Sequence, residues 1–555
     1  MKRVRLAPFD LPVLIFWFSA LLGFFVPFDR AAGLRTLIAL TGMTLLYFFI
    51  SRMADSRRRW DGFAAALAVL SALAAFYFIT QAGHLAYEEK VGLIDRVAKW
   101  IASFLPAFPF WQPVPNSLGT FLEGSLFAAI GLALLEKRRP WRILSWVLCG
   151  IIAAGLLFSA SRGAWLGVLG AALLWAALHW KPARILALAA AAGLVGLILF
   201  VLVRGDISAI SEIPIIGGQA GALFIRPDRL EVYRHSLALL TEQPFTGIGL
   251  GNAFGMTYSR YELLLAVPFL YYSHNLLLEI WLQQSLLGAA AFVWLAALIY
   301  ATVLRYPDFK NDIRIQAVCA GLTAVLLHGL SDARQYPSLW TWLPFFFLLG
   351  LCAARLISGQ PLTKPRLQWL IPGAVTAVFL IIVMAVIWPP AAAWNANRAG
   401  LLQTRADLDP LLSPEQQSAM RSQSEALFIQ ALDSNPDSLP IDRRYGLLLL
   451  SEDRFAEAIP RLEKVQQAAP DHIAARKGLG LAYLWNGDLQ RAAELLAGLP
   501  NISDELQGLA WQQYNDFHHY QAALYGYQLL DQMIPGQEMT RTMIETLNNL
   551  IQNGY

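Results

Sequence analysis

The sequence predicts an all-α protein: a polytopic bundle of membrane helices followed by a soluble α-helical repeat domain. Of its 555 residues 56% are hydrophobic and only 15% are charged, whereas soluble proteins are usually about 45–50% apolar and about 25% charged. Long apolar runs fill the first two thirds of the chain, and a regular repeat of proline and alanine positions appears near its end. Together these features indicate an integral membrane protein with a soluble part.

A membrane-spanning helix needs about 20 apolar residues, and eleven runs meet this need, with twelve as the alternative. The runs are 11–28, 33–51, 62–80, 117–136, 142–160, 163–180, 184–203, 275–304, 315–333, 338–356 and 367–388. The basic amino terminus lacks a small-residue cleavage site, so the first run is interpreted as a retained span. Lys and Arg clusters follow every second run, which predicts a cytoplasmic amino terminus and places the long loop 204–274 and everything after residue 390 outside.

The composition changes near residue 395, which divides the chain into a membrane domain at 1–390 and a repeat domain at 395–555. The interval from Pro436 to Pro470 equals the interval from Ala458 to Ala492. This interval matches the period of about 34 residues that is typical of the paired helices of tetratricopeptide repeats. Such stacks usually bind a protein partner, and a purely structural appendage is the alternative.

Several function classes are disfavoured by composition and motif context. The net charge is +4 without a long basic run, so no nucleic-acid partner is expected. Gly247, Gly249, Gly251 and Gly255 resemble a phosphate-binding loop, but no strand–turn–helix unit surrounds them, so we expect a tight turn that approaches a ligand or another helix. The outer loops contain no DxD-like carboxylate pair that would hold a divalent metal, and we expect neither a metal nor a cofactor.

Ionisable side chains gather at the predicted outer ends of the spans, where each is a functional candidate because charge in a membrane is costly. The candidates are Glu123, Arg162, Arg226, Arg229, Arg234, His274, His328 and Asp332, with Tyr233 and Asn275 beside them. Taken alone, Arg162 has a structural alternative as a snorkelling interfacial residue, and His274 has one as a helix cap. Taken together, the guanidinium groups suit a phosphate or diphosphate, and at a membrane the obvious diphosphates belong to lipid carriers.

Five motifs resemble, in order, those of the bacterial O-antigen ligase and O-antigen polymerase superfamily over roughly residues 115–340. They are PNSLGTFLEGSL, SASRGAWLG, RLEVYRHSLALLTEQPFTGIGLGNAF, SHNLLLEIWLQQSLLGAA and HGLSDARQYPS. The resemblance implies that Arg162, Arg229 and His274 are catalytic, with Tyr233 following Arg229. Two features depart from the pattern: Glu279 comes early, and Ser285 stands where glycine is common.

The resemblance also implies a metal-independent, inverting transfer of a glycan from an undecaprenyl-diphosphate carrier to an acceptor hydroxyl at the outer face of the bacterial cytoplasmic membrane. Arg162 and Arg229, with Arg226, would neutralise the departing diphosphate, and His274 would orient or deprotonate the acceptor. The remaining expected substrate-binding residues are Arg234, Asn275, Tyr233, Glu123, His328 and Asp332.

The acceptor stays open between the lipid A core of lipopolysaccharide, another glycan and a protein. A ligase, a polymerase and an O-linked protein oligosaccharyltransferase are therefore all compatible with the motifs. Outside this class, the alternatives are a transporter of lipid-linked glycans and a non-catalytic anchor for the repeat domain. A transporter would be expected to place charges along a path through the bilayer.

Overall fold

A computed structural model describes residues 7–82, 92–106, 114–204, 227–251, 253–268, 270–303, 305–358 and 365–554. Regular structure in these ranges is entirely helical, as the sequence predicts. The described residues form two compact units. Unit 1 contains residues up to Leu237, with Phe245–Phe254 and Tyr271–Val386, and unit 2 contains Ala238–Pro244, Gly255–Leu270 and Ile387–Tyr555.

The helices described up to residue 386 comprise those that overlap the predicted spans and three that lie outside the predicted runs. They are α1 (Asp10–Phe24), α2 (Arg30–Met53), α3 (Arg57–Gln81), the short α4 (Gly92–Ala102), α5 (Pro115–Leu135), α6 (Arg139–Phe158), α7 (Arg162–His179) and α8 (Lys181–Arg204), then α9 (Pro227–Glu242), α10 (Ala253–Glu262), α11 (Leu276–Val303), α12 (Ile313–Gly329), α13 (Trp342–Ser358) and α14 (Pro365–Val386). Of these, α10 lies mostly in unit 2, and α9 ends there.

Each predicted apolar run overlaps one of these helices. Among the described residues, seven helices are long and apolar enough to cross a membrane, and two shorter apolar helices, Asp10–Phe24 and Ile313–Gly329, accompany them. The chain is therefore a multi-pass membrane protein, while the total of eleven spans stays a prediction.

Ion pairs join the helices of unit 1 at one end. Arg314, at the start of α12, contacts Asp61 at 2.8 Å, and Arg355 contacts Asp312 at 2.5 Å. His328 lies fourteen residues after Arg314 on the same helix, which is about 21 Å at 1.5 Å per residue. The ion pairs and His328 thus lie near opposite ends of the bundle.

Close packing between α5 and α12 depends on two glycines. A Cβ added at Gly321 would lie only 2.6 Å from the carbonyl oxygen of Gly124. In a membrane, small residues let helix backbones approach and gain dispersion contacts. Because Gly124 follows Glu123 directly, this approach also brings the Glu123 carboxyl against α12.

Helix α11 is interrupted at Ser285, whose φ of 75° and ψ of 173° are not helical. The glycine-rich turn after α9 packs here: the backbone N–H groups of Ile248 and Gly249 donate to the Leu282 carbonyl at 2.7 and 3.2 Å. A Cβ at Gly247 would lie 2.2 Å from that carbonyl oxygen. Of the two roles expected for this turn, the structure shows the approach to another helix.

Unit 2 contains nine helices after the membrane segment. They are α15 (Pro390–Leu408), α16 (Pro414–Ser434), α17 (Leu439–Ser451), α18 (Phe455–Ala468), α19 (Ile473–Trp485), α20 (Leu489–Leu496), α21 (Ile502–Asn515), α22 (Tyr520–Met533) and α23 (Glu538–Gln552). The starts of α17 and α19 are separated by the same interval as Pro436 and Pro470, and so are the starts of α18 and α20. Ala458 and Ala492 are both fully buried, so the predicted period matches the spacing of helix pairs.

Two segments of the long loop, residues 238–244 and 255–270, belong to unit 2. The domain boundary predicted near residue 395 assigns the whole loop 204–274 to the membrane domain, because a boundary drawn from composition divides the chain at a single point. The segments instead pack with the repeats because they share buried ion pairs with them, such as that between Glu262 and Arg443.

Candidate functional site

Asp332 lies at the centre of a cluster of polar side chains in unit 1. Its Oδ1 is 3.4 Å from Nδ1 of His274, and its Oδ2 accepts a hydrogen bond from the Asn116 amide at 3.1 Å. Burial acts to raise the pKa of the Asp332 carboxyl, but His274 and Arg334 outweigh burial and hold this pKa well below its usual range. Asp332 is therefore a buried anion directed at the His274 ring.

The turn before α11 sets the position of His274. Its backbone φ is 56°, a left-handed conformation that non-glycine residues seldom adopt and that concentrates at functional sites. The N–H of Ser273 donates to the Glu279 carboxylate at 2.7 Å, which ties the turn back onto the first turn of α11. The early Glu279, one of the two departures from the family pattern, thus has a structural role here.

Asn275 caps α11. Its side-chain oxygen accepts from the backbone N–H groups of Leu277 and Leu278, both at 3.1 Å, as a helix-capping amide does. Its side-chain nitrogen donates to the Leu330 carbonyl at 3.0 Å. The amide that was expected to bind substrate is engaged on both sides by the protein, and it joins the His274 turn to the end of α12.

Helix α9 adds Arg229 and Tyr233 to the cluster. These residues are four apart and share one helix face. Arg229 donates through Nη1 to the Ser331 carbonyl, and the Tyr233 hydroxyl donates to the His274 carbonyl at 3.0 Å. Burial raises the pKa of Tyr233 to about 12, so its hydroxyl stays protonated and remains a donor to the strained turn.

A second buried pair lies beside the first. Nδ1 of His328 is 2.8 Å from the Glu123 carboxylate, and both side chains are almost fully buried. The other two polar atoms of this pair, Nε2 of His328 and Oε1 of Glu123, have no hydrogen-bond partner among the described residues. Both predicted residues are therefore brought to the cluster as a pair that retains hydrogen-bonding capacity.

The start of α7 packs against His328 and Ser331. A Cβ added at Gly163 would lie 2.5 Å from Cδ2 of His328 and 2.9 Å from the Ser331 hydroxyl. Arg162, the half-buried first residue of α7, therefore lies one residue from this contact. Arg229 and His274 thus contact the 328–332 turn, and Arg162 immediately precedes a residue that packs against it.

Of the two remaining predicted arginines, only Arg234 can be placed relative to these groups. Arg226 lies outside the described residues. Arg234 is half-buried on α9, but it follows Arg229 by five residues, which is about 140° around the helix. The face that carries Arg229 and Tyr233 to the turn therefore does not carry Arg234.

Some members of the cluster were not among the residues selected from sequence. Asn116 follows the proline that begins α5, and no spacing rule connects it to Asp332, 216 residues away. Tyr272 reads in the sequence as part of an interfacial aromatic belt, yet its ring lies 4.2 Å from the His274 ring and 4.8 Å from the Arg334 guanidinium. The YYSHN motif could have indicated a role for Tyr272, because this tyrosine lies only two residues before His274.

The chemistry available is that of an imidazole oriented by a buried carboxylate, close to a guanidinium group. In the neutral tautomer whose Nδ1 carries its proton toward Asp332, His274 has its lone pair on Nε2, the atom able to accept a proton. Arg229 has five N–H donors in a planar fork that fits phosphate oxygens. In the part of the chain that the structure describes, no three His, Cys, Asp or Glu side chains converge in a metal-ligand group.

Comparison with known families agrees with the sequence motifs. Residues 147–293 match the family model for O-antigen ligases, a segment that contains Arg162, Arg229 and His274. Residues 449–510 match a tetratricopeptide-repeat model. No curated protein matches the chain. The two predicted resemblances are confirmed: one segment of the chain is similar to O-antigen ligases, and a segment nearer the carboxyl terminus is similar to tetratricopeptide repeats.

Proposed function

We propose that this protein transfers a glycan from an undecaprenyl-diphosphate carrier to an acceptor hydroxyl, without a metal ion and with inversion at the anomeric carbon. The observation that carries the proposal is the convergence of His274, Asp332 and Arg229 on one turn. A base paired with a buried anion beside a guanidinium group is the combination that such a transfer needs.

In the proposed step, the acceptor oxygen forms a bond to the anomeric carbon while the bond from that carbon to the diphosphate oxygen breaks. The electron pair of the broken bond leaves with the diphosphate, and the hydroxyl proton passes to Nε2 of His274. The ionised Asp332 stabilises the imidazolium that results. Attack from the face opposite the leaving group gives inversion.

Arg229 and Arg162 are the proposed groups that stabilise the departing diphosphate. A positively charged donor held before the reaction stabilises charge that develops in the transition state. Arg229 is already oriented by the Ser331 carbonyl. Arg162 is included because Gly163, the next residue in the chain, packs against Ser331. Arg226 and Arg234 stay proposed contacts of the carrier beyond this turn.

We place the reaction at the outer face of the bacterial inner membrane, with unit 2 also outside the cytoplasm. The support is the distribution of Lys and Arg along the chain, together with the ion-paired arginines near the opposite end of the bundle from His328. Positive residues are enriched on the cytoplasmic side of membrane proteins.

The acceptor divides the proposal into three variants: a ligase to the lipid A core, a polymerase that extends the glycan, and a protein oligosaccharyltransferase. The same cluster serves all three, because each presents one hydroxyl to His274. A lipid-linked glycan transporter is the alternative outside the enzymes, and it would move the donor without cleaving it.

The test uses the full-length protein in lipid nanodiscs with an undecaprenyl-diphosphate glycan and, separately, each acceptor class. We expect release of undecaprenyl diphosphate together with a glycosylated acceptor, and loss of both when His274 is replaced by alanine. Intact donor recovered with every acceptor would contradict the transfer, and movement of that donor across the bilayer of liposomes would then favour the transporter.

A further inference from the structure

Two buried cations occupy equivalent positions in successive repeats of unit 2. Arg443 is the fifth residue of α17, and Lys477 is the fifth residue of α19, one repeat later. Both are among the buried residues, with 2% and 3% of their surface exposed. Because stacked repeats present equivalent positions on a common face, these two cations belong to one face of the stack.

Both cations contact the loop segment 255–270 of this chain. Arg443 donates to both oxygens of the Glu262 carboxylate, at 2.6 and 2.9 Å. Lys477 donates to the Leu264 carbonyl at 3.0 Å and pairs with Glu505 of the repeats. Residues 262–264 therefore lie along two successive repeats, with one cation for each.

The other loop segment, residues 238–244, is held at the same place. Arg443 also pairs with Glu242, and Arg444 contacts the second oxygen of Glu242 at 3.3 Å. Arg444 additionally lies 3.4 Å from the centre of the Tyr261 ring. The two loop segments thus meet on one pair of adjacent arginines.

The ion pairs of this network join the loop to the repeats. Arg443 and Arg444 are both buried, as are Glu242 and Glu262 of the loop. Breaking one member of a buried ion pair leaves an uncompensated charge and is strongly destabilising. Separation of the loop from the repeats would deprive all four groups of these ionic partners.

We propose that this repeat face, with Arg443 and Lys477, is a binding surface for the chain's own loop, and that Arg443 is a positioning residue for the loop helix α9. Glu242 is the last residue of α9, and Arg229 lies thirteen residues earlier on it, about 20 Å along a continuous helix. Anchoring the end of α9 restricts the motion of Arg229. This catalytic consequence rests on the proposed function, whereas the binding of the loop does not.

The first test measures loop binding without any substrate. Full-length wild-type protein and the variants Arg443→Ala, Lys477→Ala and Lys477→Arg are exposed to trypsin under native conditions, and cleavage after Arg260 is followed by mass spectrometry. We expect both alanine variants to be cut about tenfold faster or more, because local opening of the segment becomes easier. Lys477→Arg keeps a cation near the Leu264 carbonyl and should stay close to wild type.

The matched control is Arg454→Ala. Arg454 pairs with Glu425, Glu452 and Glu457, all within the repeats, so its loss removes ion pairs without touching the loop. Cleavage after Arg260 should be unchanged in this variant. Equal cleavage in Arg443→Ala, Lys477→Ala and the control would overturn the binding surface.

The second test measures glycan transfer per folded molecule in the same variants. We expect Arg443→Ala to lower kcat about tenfold with a smaller change in KM, since Arg229 is proposed to act on the transition state. A purely structural role would lower folded yield and leave kcat per folded molecule intact, and that result would overturn the positioning role. If wild-type protein shows no transfer, the proposed function fails, and the trypsin comparison still decides whether the repeats bind the loop.

Discussion

Nδ1 of His274 lies 3.4 Å from Oδ1 of Asp332, although the whole of α11 and α12 separates the two residues in the chain. The contact joins the turn before α11 to the turn after α12. Asp332 is nearly inaccessible, whereas 17% of the His274 side chain is exposed. The carboxylate is thus shielded behind the ring, and the ring retains a face for a ligand.

Replacing Asp332 by asparagine should lower kcat about a hundredfold or more, the usual contribution of a positioned acid–base group. The change keeps the size of the side chain but removes the negative charge that stabilises imidazolium. Transfer is measured with saturating donor. Asp308→Asn, at an exposed position, is the control and should retain wild-type kcat, and equal rates in the two variants would remove Asp332 from the mechanism.

Replacing Ser285 by glycine should stabilise the protein. The φ and ψ of Ser285 fall in a region that is almost exclusive to glycine, and such strain costs about 1–3 kcal/mol. Thermal unfolding in detergent should therefore shift to higher temperature in Ser285→Gly. Ser285→Ala retains a Cβ and its strain, so an equal shift in both variants would mean that the backbone at this position is relaxed.

Replacing Gly163 by alanine should destabilise the cluster by about 1–3 kcal/mol, the usual cost of overpacking. The new methyl group would lie 2.5 Å from the His328 ring, so α7 or the ring must move, and transfer should fall as well. Gly150→Ala is the comparison, because a Cβ there meets nothing within 4 Å. Similar Tm and activity in the two variants would contradict the tight contact at Gly163.

Acid should loosen the contact between the loop and the repeats through Glu262. Burial acts to raise the pKa of this carboxyl, but the Arg443 guanidinium outweighs burial and lowers this pKa to about 2. A depressed pKa contributes stability that is complete above the unfolded value of about 4.3 and is lost as pH falls toward 2. Trypsin is inactive in this window, so hydrogen exchange of residues 255–268 would be measured across it and corrected for the intrinsic rate at each pH.

The variant Glu262→Gln isolates this carboxyl. Burial raises the pKa of Glu242, so that neighbour gains protons at higher pH and gives a separate effect. The variant should exchange faster than wild type above the window and should lose the part of the pH dependence that lies between about 4.3 and 2. An identical pH profile in wild type and variant would show that Glu262 is not the responsible group.

Helix positions and several members of the candidate site could be predicted from the sequence because their signals are local. Apolar length located the helices, and the repeated spacing of Pro436 and Pro470 located the helix pairs of the repeats. The motifs around Arg229 and His274 contain residues that contact one turn, and the motif around Arg162 contributes Gly163, which packs against the same turn. The pairing of His328 with Glu123 was not predictable, since it depends on how closely α5 approaches α12 at Gly124 and Gly321.

By itself, the sequence determined an all-helical membrane protein with tandem repeats and selected basic and imidazole groups for its candidate site, because length, hydropathy and period act over short stretches of chain. The tertiary structure alone decided which carboxylate faces His274, that Asn275 is a cap, and that the repeats hold Glu242 and Glu262 of the loop. Those outcomes depend on contacts between residues far apart in sequence. A buried charge takes whichever partner the packing of helices brings within reach.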